Sequence, residues 1–127
     1  MTQKSRLRIL SVCDDDAVRF SREMVLSDAG YEHVEWFPSN ASVSASQIRL
    51  SDVAILCQSV ECRRAARLTL AFRRLNPDIR VLRMNALRTA MDSRFQVDCE
   101  VVSGPGTLVE VLDSHLANAE HWFALSH

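Results

Sequence analysis

The sequence predicts a three-layer α/β sandwich, a doubly wound, five-stranded parallel sheet with helices on both faces. Three observations predict it. Short apolar runs alternate with longer segments of helical period, five times along the chain. The runs are nearly continuous in apolar character, as in Val53–Leu56, which suits strands covered on both sides. Polar or chain-breaking residues close each run, and the segments between are long enough for right-handed helical crossovers.

The elements follow in order. Leu7–Val12 reads as a first strand, and Asp14, Asp15 and Asp16 then precede a helix from about Ala17 to Ala29. Aspartates at that point cap a helix and complement its positive end, which accounts for most of the cluster. Gly30 suits the left-handed residue that stops the helix. His33–Phe37 is a short second strand, Pro38–Asn40 a turn, and Ala41–Leu50 a serine-rich, weakly helical stretch. Val53–Leu56 is the third strand, with Cys57 at its carboxyl end, the rim where open α/β sheets usually carry their chemistry. A helix over about Glu61–Leu75 has Ala65, Leu68, Thr69 and Phe72 on one stripe, with Arg63, Arg64, Arg67, Arg73 and Arg74 largely off it. Asn76–Asp78 ends it, Ile79–Met84 is a fourth strand, and 85–95 carries at most two helical turns. Cys99–Val102 is a fifth strand, Ser103–Gly106 a break, and Thr107–Ala119 a last helix with Leu108, Val111, Leu112 and Leu116 on one face.

Composition bounds the function. At 127 residues, 47% apolar and 24% charged, the chain is one domain with material for a core. A net charge of −1 gives no global field for nucleic acid or membranes, and no apolar run is long enough to span a bilayer. The basic residues are one lysine, Lys4, and fourteen arginines. Four cysteines in a chain without a recognisable export signal point to reduced thiols in the cytoplasm.

Several stretches carry a family resemblance: ILSVCDDDAVR at 9–19, Ala29-Gly30-Tyr31, DVAILC at 52–57, PDIRVLRMNA at 77–86 and Ser103-Gly104-Pro105. In element order and spacing the chain resembles the receiver domain of bacterial response regulators over about residues 6–118, with 119–127 as a tail. The resemblance implies the flavodoxin-like strand order 2-1-3-4-5. It also implies a phosphoacceptor aspartate after the third strand, a Mg²⁺ ion held by acidic residues after the first, a Thr or Ser after the fourth, and a Lys-Pro pair after the fifth. Position by position, the acceptor falls on Cys57 and the acidic pair on Cys13 and Asp14. The hydroxyl falls on Asn85, the lysine on Gly104 and the aromatic switch on Val101. The Gly104–Pro105 bond corresponds to one that is commonly cis in the family.

With these departures the chain resembles a degenerate receiver. A thiol cannot form the acyl phosphate, and one carboxylate beside a thiol makes a poor Mg²⁺ site, which leaves Asp14 a weak metal ligand. Gly104 supplies no cation, although Arg83 brings a positive charge near the rim. The expectation is a non-catalytic, phosphorylation-independent signalling module without a cofactor. It acts on another signalling protein, or on a second copy, through the face implied by the family: parts of 87–94, 99–102 and 108–119. Because the sequence ends soon after its last helix, no attached output domain is expected. His121–Leu125 is either a docking tail or a segment folded back on the core.

Two other readings start from the cysteines. Cys13 and Cys57 end neighbouring strands if the family order holds, with Cys62 a helical turn beyond, so a redox or soft-metal switch is one alternative to inert apolar filling. Cys57–Arg63 also fits C-x5-R and resembles the low-molecular-weight tyrosine phosphatases, but no glycine lets the loop wrap a phosphate, and Glu61 would repel one. The arginine row reads as a solvated helix face, and His33, His115, His121 and His127 show no ligand spacing.

Overall fold

The computed structural model describes residues 6–84, 99–102 and 108–114, the second of these as backbone. The elements are β1 (Arg8–Val12), α1 (Asp16–Asp28), β2 (His33–Phe37), α2 (Ala45–Leu50), β3 (Val53–Leu56), α3 (Cys62–Leu75), β4 (Arg80–Met84) and β5 (Cys99–Val102), and residues 108–114 are helical. All pairings are parallel. β1 lies between β2 and β3, and β4 takes the other side of β3. The backbone of β5 runs alongside β4, with Cys99 opposite Val81. Asn85, Gly104, Leu87–Arg94, Leu116 and the segment His121–Leu125 lie outside the described residues.

Local chemistry fixes the helix ends. Asp15 caps α1, its carboxylate accepting from the backbone N–H groups of Ala17 and Val18, and Asp16 adds negative charge to the first turn. Gly30, at φ 98°, takes the left-handed conformation that ends the helix. α2 is shorter than the serine-rich stretch suggested. Ser44 and Gln47 form a capping box that sets its start at Ala45. At the end of α3, the Asn76 side-chain amide donates to the carbonyls of Ile48 (3.0 Å) and Ser51 (2.8 Å), tying α3 to the end of α2.

Two apolar clusters, one on each face, make the three layers. Leu26 of α1 and Leu108 and Leu112 of the 108–114 helix pack with Ile9, Val53, Ile55, Leu82 and Met84. On the other face Ile48 of α2 and Ala65 and Phe72 of α3 pack with Leu10, Val12, Ala54, Leu56 and Val81. The predicted α3 stripe is therefore inward. The buried hydroxyl of Thr69 is satisfied by the Ala65 carbonyl at 2.8 Å. Tyr31 closes the first cluster, donating its hydroxyl to Asp113 at 2.6 Å, while burial and that carboxylate push its phenol above the usual range. Among the described residues no helix is long and apolar enough to cross a membrane.

Phe72 is 1% exposed and anchors α3 to the sheet. Phe72→Ala is expected to lower stability by about 3–5 kcal/mol, read as a reduced urea midpoint at unchanged m-value.

Candidate functional site

The carboxyl ends of β1 and β3 form the site. Val12 lies opposite Leu56, and the ladder continues past both strands, because the Cys57 N–H donates to the Val12 carbonyl at 3.0 Å. Cys13 is held in turn by its N–H to the Phe37 carbonyl at 2.9 Å. Of the residues that the family resemblance assigns, Cys13, Asp14 and Cys57 are brought together. Val101 stands on β5, and Asn85 and Gly104 are outside the described residues.

Asp14 faces away from Cys57. Its two carboxylate oxygens accept from the Ser39 N–H (2.7 Å) and hydroxyl (2.6 Å), and Arg64 donates to the same hydroxyl at 3.2 Å. The two Ser39 hydrogen bonds hold the Asp14 carboxyl below its ordinary value. This carboxylate thus fastens the turn after β2. The Asp14 N–H donates to the Ser59 hydroxyl (3.0 Å), which joins the loops after β1 and β3.

Cys57 is fully enclosed, and burial above all pushes its thiol up to about 12, with the adjacent Cys13 thiol adding to the effect and Arg22 and Arg83 opposing it. Those two arginines are themselves buried, Arg22 at 7% exposure and Arg83 at 5%. The Arg83 guanidinium donates to the carbonyls of Cys57 (2.7 Å) and Val60 (2.5 Å). From the other face of the sheet Arg22 donates to the Gln58 side chain at 2.9 Å, and its Nε is buried without a partner. The positive charge expected near the rim from Arg83 is present, but it is engaged beneath the loop. Arg22 was not singled out by the sequence reading. Its signal is a cation four residues before Leu26, on the inward stripe of α1.

Two cysteine-based arrangements are not seen among the described residues. The three thiols do not converge, because Cys62 is exposed at the start of α3, and no group of three or more His, Cys, Asp or Glu among the described residues is arranged to hold a metal. Nor does Cys57–Arg63 form a phosphate cradle. The Val60 N–H is turned back onto the Cys57 carbonyl (3.0 Å), Arg63 is exposed, and a thiol raised by burial is the opposite of an activated nucleophile. A separate groove of about 270 Å³, lined by Arg8, His33, Glu35, Gln47 and Leu50, lies at the opposite ends of β1 and β2.

No protein-family model matches the chain. No curated protein matches it either. Solved structures do. A pilus assembly-related protein from Burkholderia pseudomallei K96243 has a TM-score of 0.66 at 17% identity, covering 92% of this chain and 94% of its own. A pilus assembly protein, cpaE, from Burkholderia thailandensis E264 has a TM-score of 0.62 at 17% identity, covering 87% and 98%. A two component transcriptional regulator AraC from Clostridium phytofermentans ISDg has a TM-score of 0.65 at 17% identity, covering 94% and 98%. The chain has the same parallel α/β fold as these proteins.

Two outcomes follow from the site. Arg83→Met removes both donors from buried carbonyls and is expected to cost about 2–4 kcal/mol, measured by urea denaturation. Raising the folded-state value of Cys57 from 9.0 to about 12 makes its contribution to stability complete below pH 9 and lost as pH climbs towards 12. Tyr31, also raised, acts in the same direction. The urea midpoint of the native protein should therefore fall on going above pH 9, and less steeply in Cys57→Ala. Equal slopes would remove Cys57 from the account.

Proposed function

We propose that the chain is a receiver-like signalling module in which aspartyl phosphorylation has been lost and the fold works as a protein-binding scaffold. The observation that carries this reading is the chemistry at Cys57. The acceptor position holds an enclosed thiol, and the two nearby cations are already hydrogen-bonded to the loop that would surround a phosphoryl group. Asp14, the acidic residue left of the pair, is bonded to Ser39. A hard divalent ion needs several free oxygen ligands, and this arrangement supplies poor ones.

The proposal includes the complete doubly wound sheet, in the order 2-1-3-4-5, with Cys99–Val102 beyond β4. It also includes a cytoplasmic setting and a non-enzymatic role. The partner is a separate signalling protein that docks on the face comprising parts of 87–94, β5 and 108–119. Similarity to proteins of pilus assembly and of transcriptional regulation supports a fold used for different outputs and does not single one out.

The test is incubation with acetyl phosphate and Mg²⁺, followed by intact mass and by backbone NMR. The expected result is no added phosphoryl group and no shift changes centred on residues 13–14 and 57. Stoichiometric labelling, or shifts concentrated there, would overturn the proposal.

A further inference from the structure

We propose that the sheet rim is a thiol modification site, at which Cys13 and Cys57 close an intrachain disulfide on exposure to a hydroperoxide. The inference rests on strand register and on the face that the two thiols share, and is independent of the interaction reading above.

The register makes the two residues neighbours. Because Val12 pairs with Leu56 and the Cys57 N–H reaches the Val12 carbonyl, residues 13 and 57 are the next step of the same parallel ladder. Neighbouring strands lie about 4.8 Å apart. Disulfides accept Cα separations of about 4.4–6.8 Å. Side-chain alternation sends both thiols to one face. Ile9, two steps of the alternation before Cys13, and Val53 and Ile55, which alternate with Cys57, all pack in the cluster with Leu26 of α1. The Cys13 thiol is near enough to Cys57 to help raise it. Both are free cysteines.

Their environments assign the order of events. Cys13 lies nearer the surface, at 7% exposure against 0% for Cys57, with its sulfur 3.5 Å from the Ser59 hydroxyl and its S–H directed to the Asp15 carbonyl at 3.3 Å. Cys57 stays protonated in its enclosure, so Cys13 meets the oxidant first. The Cys13 sulfur attacks one peroxide oxygen, the O–O bond breaks, and water or an alcohol leaves, giving a sulfenic acid. The Cys57 sulfur then attacks the Cys13 sulfur. The S–S bond forms as the S–O bond breaks, and water carries away the Cys57 proton. In total two thiols lose two electrons and two protons, and the hydroperoxide is reduced. The product no longer has the S–H that Cys13 gives to Asp15, the residue that caps α1.

The experiment treats the full chain with millimolar hydrogen peroxide, blocks the remaining thiols with N-ethylmaleimide, and maps it without reductant. Cleavage after Glu61 separates Cys57 from Cys62. The expected result is loss of two hydrogens, a Cys13–Cys57 linked peptide, and full reversal by dithiothreitol. In Cys57→Ser the linked peptide disappears and Cys13 becomes trappable by dimedone. Cys13→Ser, altering the less enclosed partner, abolishes the link as well. The proposal is overturned if Cys13 and Cys57 are still blocked as free thiols in the treated protein after unfolding. Linkage through Cys62 or Cys99 in place of this pair would overturn it equally.

Discussion

The rim is organised by a guanidinium. Arg83 reaches from β4 across the end of β3 and donates to the carbonyls of Cys57 and Val60. Two carbonyls facing inward at the start of a loop need donors, since an unsatisfied buried acceptor costs about as much as a lost hydrogen bond. Arg83 supplies both from one rigid fork, a geometry that a lysine could not reproduce. The loop is thereby pulled down onto the sheet, and Cys57 is closed in.

The remaining contacts agree with that constraint. Arg22 secures the same loop from the α1 side through Gln58. Ser59 joins it to the loop after β1, and Asp14 joins that loop to the turn after β2. The polar groups of the rim are linked to one another and to the backbone. A buried cation is tolerable when its N–H groups find oxygens, and these two find them in the loop. The site has the composition of a joint.

Much of the fold was legible because burial on both sides of a parallel sheet leaves a plain trace: VAIL at 53–56 and the stripe Ala65, Leu68, Thr69 and Phe72. The helix stop at Gly30 and the cap at Asp15 were legible for the same reason, since each is a local chemical demand. The adjacency of Cys13 and Cys57 required only the strand order. Arg22 and Asn76 were harder. A polar residue on an inward stripe identifies its partner only when the loop opposite it is known, and Gln58 and Ile48 are distant in sequence. For Arg83 the sign and the place were legible. Its engagement with two carbonyls was not, because backbone acceptors leave no mark on residue identity.

The fork at Arg83 also bears on how such a domain can evolve. A carboxylate introduced at position 57 would arise in an enclosed space whose nearest cations are already hydrogen-bonded, beside the Cys13 thiol. Opening this rim to an anion would require several coordinated substitutions, each unfavourable alone. The bond that settled the loop thus works as a ratchet, and makes a change of chemistry at this rim hard to reach by single steps.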